Sequence, residues 1–176
     1  MSEIGDAIHE KCLAFGDRVI KLNDYLLSQA VAAQEEYKKA WLQKNRKQTS
    51  SISPQPSSIL PLTSSISPLP SSISPQVSAV PVHLQSVANI SNQLLRSGTS
   101  IGANNAEATN AISKADFKSK SFIALKEARE SLYWIDLLHR NHYLDDNQYT
   151  SIYADCEELV KLLVHRCKKI NEDPNE

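Results

Sequence analysis

Residues 144–170 read LDDNQYTSIYADCEELVKLLVHRCKKI. Asp145 stands where an N-cap belongs, Gln148 sits at N3 to return the bond, and Leu144 is placed to staple against Tyr149. From there Tyr149, Ile152, Cys156, Leu159, Leu163, Cys167 and Ile170 recur at three- and four-residue spacing, which lays them along one face of a helix. The stretch predicts a capped helix with one buried stripe. Isolated helices are marginal in water, so partners are needed, and the rest of the chain offers them.

Immediately upstream, Ser113 is a good N-cap with Asp116 at N3, in a capping-box variant that uses Asp. It opens a helix running through Phe117, Phe122, Leu125, Ala128, Leu132, Ile135 and Leu138. Before it, Val87, Ile90, Leu94, Ser97, Ile101, Ala108 and Ile112 mark another, whose small middle, Ser97-Gly98-Thr99-Ser100 with Gly102, permits close helix approach. At the N-terminal end, Ile4, Ile8, Cys12, Phe15, Val19, Leu22 and Leu26 share one face, and the pattern continues through Ala30, Ala33, Tyr37 and Trp41. Lys38, Lys39, Lys44, Arg46 and Lys47 gather near the end of that helix, where cations suit the macrodipole. Short connections around Ile112-Ser113 and from Asn141 to Leu144 force antiparallel neighbours. The fold class is therefore all-α, an antiparallel up-down four-helix bundle.

The first connection is different. Four seven-residue units, beginning at Ser50, Ser57, Ser64 and Ser71, each open Ser-Ser-Ile, and no charged residue occurs from Gln48 to Val80. Their prolines remove backbone donors and favour extended conformations over helix or buried strand. The expected organisation is helix one in 1–47, a disordered Ser/Pro-rich insert in 48–81, and helices two to four in 82–176. Such an insert serves as a spacer or as a tether for a Pro-recognising partner.

Composition narrows the function. The 176 residues carry a formal net charge of -1, so any affinity for polyanions must come from local patches. Cys12, Cys156 and Cys167 form no C-x-x-C pair, which points to a reducing compartment rather than a disulfide framework. The acidic N-terminus lacks a signal-peptide pattern and no stretch reaches the ~20 apolar residues of a membrane span. A cytoplasmic protein with no membrane partner is expected.

Catalytic constellations do not assemble. Asp136 and His139 share a helix face, but a bundle di-metal site needs two Glu-x-x-His motifs and two further carboxylates. His9-Glu10 starts like a zinc-protease motif, yet position 13 is Leu13 rather than a second His. Arg129 and His139 are too far apart, and Arg140 and His142 too close, to reproduce the Arg/His pair of helical toxin ribonucleases. No nucleophile-base pair or phosphate loop is legible. The expectation is a non-enzyme with no cofactor, no metal and no small-molecule substrate.

Two other features invite a function. Arg96, Ser100, Asn104 and Glu107 form a polar stripe beside the apolar face of helix two, and Lys120, Lys126, Glu127, Arg129 and Glu130 offer matching groups on helix three. Paired, they would fix helix register, or else form a partner site. Basic residues gather in Lys38, Lys39, Lys44, Arg46 and Lys47, and again in Lys161, Arg166, Lys168 and Lys169. Each cluster also fits an ordinary solvated helix end. Repeated in a symmetric ring, their fields would add on one surface and hold a phosphate backbone through counterion release.

The blocks Gln93-Leu-Leu-Arg96-Ser-Gly-Thr-Ser100-Ile-Gly-Ala-Asn104, Glu107-Ala108, Ser113-Lys-Ala-Asp-Phe117 and Ala124-Leu-Lys126-Glu127-Ala-Arg-Glu130 closely resemble the four-helix bundle proteins encoded in intervening sequences of bacterial 23S ribosomal RNA genes, relatives of the accessory protein of diversity-generating retroelements. The resemblance is dense in helices two and three and covers helices one and four only by pattern. It implies a homopentameric ring without known catalytic activity, which in the retroelement branch binds a reverse transcriptase and nucleic acid. By matching position, Arg96, Ser100, Asn104, Glu107, Phe117, Lys126, Glu127 and Glu130 carry the family pattern, for packing and assembly. The repeat insert and Asn105, where relatives often carry an apolar residue, depart from it. Two functional readings result: an oligomeric module associated with RNA or DNA, or a protein-only scaffold that recruits its partner through the insert.

Overall fold

The computed structural model describes residues 3–49 and 82–172. Among these residues are four helices: α1 (Glu3–Thr49), α2 (Val82–Thr109), α3 (Lys114–Arg140) and α4 (Asp146–Glu172). The Ser/Pro insert and the end of the chain past Glu172 lie outside the described residues, as do the side chains of Ile4 and Lys47.

The caps explain where α3 and α4 begin. Ser113 Oγ accepts from the Asp116 N–H at 3.1 Å, and Asp116 Oδ2 accepts from Ile112 N–H at 3.2 Å. At α4 the box is reciprocal: Gln148 N–H donates to Asp145 Oδ1 at 2.8 Å and Asp145 N–H to Gln148 Oε1 at 3.1 Å. Between them, α3 ends in a Schellman turn: Tyr143 N–H reaches Leu138 O and His142 N–H reaches His139 O, both at 2.9 Å. His142 carries the left-handed backbone, φ 60°, in place of the glycine this turn usually takes.

Interhelical bonds fix the directions. Asn23 pairs with Ser91 across α1 and α2, Ser97 with Ser131 across α2 and α3 at 2.9 Å, and the Cys156 thiol with Ala128 O across α3 and α4 at 3.3 Å. On the last side Lys11 meets Glu158 at 2.7 Å, while Arg18 meets Asp155 and donates to Ser151 Oγ at 2.9 Å. As one partner's number rises the other's falls, so every neighbouring pair is antiparallel. α1 packs on α2 and α4, and α3 on the same two, closing an up-down four-helix bundle. Its core holds Ile8, Phe15, Val19, Leu94, Ile101, Ile135, Leu138, Leu159 and Leu163. Asn23, Ser91, Ser97, Asn105, Ser121 and Ser131 are buried among these apolar groups.

Three parts of the periodic reading are corrected. Ile112 is 95% exposed because α2 ends at Thr109 and leaves it in the link to α3. Phe122 is 39% exposed, since Ser121, Ala124, Leu125 and Ala128 are the buried residues of that stretch of α3. Tyr37 and Trp41 continue the stripe of α1 but are 61% and 39% exposed. α1 has 47 residues against 28 in α2, and the Asn23–Ser91 register sets Val82 beside residue 32. Past that point α1 projects roughly 25 Å at 1.5 Å per residue, and from Val31 to Arg46 only Gln34 and Asn45 are even half-buried.

Candidate nucleic-acid interface

The two basic clusters do not meet within the chain. Lys38, Lys39, Lys44 and Arg46 are exposed on the projecting part of α1, whereas Lys161, Lys168 and Lys169 are exposed along α4 toward its C-terminus. Because Lys11 faces Glu158, that end of α4 lies beside the N-terminal end of α1, at the opposite end of the bundle. Their availability also differs. Lys161 holds Glu157 at 2.9 Å, but among the described residues Lys38, Lys39, Lys44, Lys168 and Lys169 have no carboxylate in ion-pair reach.

Arg166 leaves its cluster altogether. Its Nη1 donates to Asn105 Oδ1 at 2.7 Å, and its Cζ stands 5.8 Å from the centroid of the Phe117 ring. Burial pulls its guanidinium below the ordinary value, partly offset by the neighbouring Cys167 and Cys12 thiols. This accounts for Asn105, 1% exposed: its carbonyl accepts from the cation that enters beside it. Arg166 is thus a packing residue of α4, and Phe117, half-buried, is its platform.

The stripe on α2 is realised in part. Glu107 pairs with Lys120 across α2 and α3. Asn104 Nδ2 turns back to Ser100 O at 2.8 Å, and Glu130 accepts from Trp134 Nε1 at 3.1 Å within α3. Arg96 is exposed and Glu127 half-buried, and the two form no ion pair. Cross-helix register is carried as well by Asn23 with Ser91 and Ser97 with Ser131, pairings that the sequence pattern did not show although it placed Ser97 on the core face.

Asp136 and His139 are both engaged in packing the α3–α4 end. Asp136 Oδ1 accepts from Tyr149 Oη at 3.0 Å; His139 stacks on that tyrosine with centroids 4.1 Å apart and pairs with Asp146 at 2.9 Å. The three cysteines are free and buried. Burial pushes the Cys12 thiol up to about 11 and that of Cys156 to about 12, so neither is an available nucleophile at neutral pH.

A groove of about 410 Å³ runs between α3 and α4, with Phe122, Leu125, Lys126 and Arg129 on one wall and Val164, Cys167, Lys168 and Asn171 on the other. Its charged lining is wholly cationic. Among the described residues none of Lys126, Arg129 and Lys168 forms an ion pair. Sequence spacing set Lys168 with its neighbours on α4 and Lys126 with the stripe on α2; only the packing of α3 against α4 joins them.

Residues 79–165 match the model of the 23S rRNA-intervening sequence protein family. The chain is also similar to a protein of unknown function from the S23 ribosomal protein family of Bacteroides thetaiotaomicron, known from a crystal structure: identity is 30%, the match covers 94% of this chain and 98% of that one, and the TM-score is 0.61. No curated protein matches the chain. The matched segment holds α2, α3 and most of α4, and the solved relative extends the likeness over α1. The chain belongs to the family of 23S rRNA-intervening sequence proteins.

Proposed function

We propose that this bundle is a non-enzymatic, oligomeric module that associates with RNA or DNA. The observation that carries the reading is the set of exposed cations Lys38, Lys39, Lys44, Lys168 and Lys169, which are unpaired among the described residues. Such groups neutralise phosphates and release counterions, even on a subunit whose net charge is near zero. A non-catalytic role is favoured because Asp136, His139 and the thiols are committed to packing. A homopentamer, and a reverse transcriptase as protein companion, are the assembly and partner that the retroelement resemblance adds to this proposal.

The test is fluorescence anisotropy with a short structured RNA between about 50 and about 200 mM salt, alongside solution mass by light scattering. Wild type binds with a steep salt slope and a mass of several subunits. Changing Lys44, Arg46, Lys168 and Lys169 together to Ala flattens that slope by about one per lost phosphate contact. Unchanged affinity and slope in this variant rule out the surface; a monomer that ignores RNA rules out the reading.

A further inference from the structure

We infer that the groove between α3 and α4 takes a short single-stranded stretch of nucleic acid, one base stacking on Phe122 and the flanking phosphates lying on Lys126, Arg129 and Lys168. The inference rests on the proposed function and names the form of nucleic acid and the place that holds it. Three observations carry it. The cations are unpaired among the described residues and share one concave space. Phe122, a large apolar ring, is 39% exposed at the rim of that space rather than packed in the core. Among the described residues no carboxylate lines the walls.

Interleaved cations and an exposed ring are the elements of a single-strand site: the cations follow the backbone, and the ring accepts any base because every base has a π face. A duplex satisfies only half of this. Its bases are stacked on each other, so Phe122 would meet sugar and phosphate. An acidic peptide satisfies the other half, matching the charge but offering no flat face to the ring. Phe122 to Arg129 covers two turns of α3, roughly 10 Å at 1.5 Å per residue, which suits a short run of nucleotides.

The experiment is anisotropy on the full chain with a labelled oligouridylate and with an RNA duplex of equal length. Phe122→Leu keeps an apolar side chain of similar bulk without the ring and is expected to weaken the single strand about tenfold while leaving the duplex unmoved. Phe122→Tyr restores binding. Lys126→Ala with Arg129→Ala lowers both affinity and salt slope. Circular dichroism melting checks that each variant remains folded.

Wild-type binding of the single strand by Phe122→Leu and by Lys126→Ala/Arg129→Ala overturns the groove. If Lys38→Ala/Lys39→Ala/Lys44→Ala then loses affinity, nucleic-acid association survives on α1 and only the groove is lost. Wild type that binds neither RNA overturns both. Competition by polyglutamate that is insensitive to Phe122→Leu assigns the groove to acidic peptides and also overturns the inference.

Discussion

A methyl group on Gly98 would stand 3.1 Å and 3.3 Å from the two Cγ atoms of Val19 and 3.4 Å from the Phe15 ring, whereas one on Gly102 would meet only Cys12 Cβ, at 3.6 Å. Both glycines are helical, so alanine gains about 1 kcal/mol of helix propensity at either. At Gly98 overpacking against a β-branched neighbour costs about 1–3 kcal/mol, and Gly98→Ala is expected to lower stability by about 1 kcal/mol in urea titration. Gly102→Ala is expected to leave it unchanged or raise it. The small residues were legible as permission for close approach; which glycine uses it depends on Val19, a residue on another helix. The thiols carry a second residue-scale prediction. Folded values of about 11 at Cys12 and about 12 at Cys156, against an ordinary 9.0, mean that the native state keeps protons the unfolded chain releases. Stability from this source is fully present below pH 9 and is lost as pH rises through the folded values, by up to about 1.4 kcal/mol per pH unit for each thiol. Urea titrations at pH 8 and pH 10.5 should therefore show a clear fall, reduced when Cys156 is replaced by Ala.

At the scale of the element, α3 and α4 were readable because their starts are local chemistry. Asp145 and Gln148 bond to each other's backbone within one turn, and Ser113 does the same for Asp116. α1 was readable only in its first half. Ala33, Tyr37 and Trp41 keep the core spacing after the bundle has ended, and periodicity reports which side a residue is on, not whether another helix reaches it. α1 is consequently one hydrogen-bond ladder with two environments. Residues 33–46 propagate from a nucleus already formed in the bundle, but most of their side chains are exposed. Hydrogen exchange followed by mass spectrometry should find 33–46 exchanging by local fraying and 8–26 only through near-global opening. Equally slow exchange in both halves would show that a second copy or another molecule covers the projection.

For the whole molecule, the up-down order already implied that the C-terminal ends of α1 and α4 point opposite ways, so the separation of the two basic clusters could have been read from the topology. The inward turn of Arg166 could not: it sits among Lys161, Lys168 and Lys169 in sequence, and only the half-buried Phe117 and the buried Asn105 on other helices explain it. The groove was equally invisible, because Lys126 and Lys168 become neighbours only when α3 and α4 pack. The separation has a consequence for footprint. The Lys11–Glu158 register sets Lys168 beside the start of α1 at Glu3; from there to Lys44 is roughly 60 Å of helix at 1.5 Å per residue, a distance that a straight duplex spans in about 18 base pairs. Under the proposed function a shorter ligand would occupy one end at a time and bind with the affinity of that end alone. A longer one would engage both, its second contact being intramolecular, and the bundle would then separate short fragments from long ones by avidity.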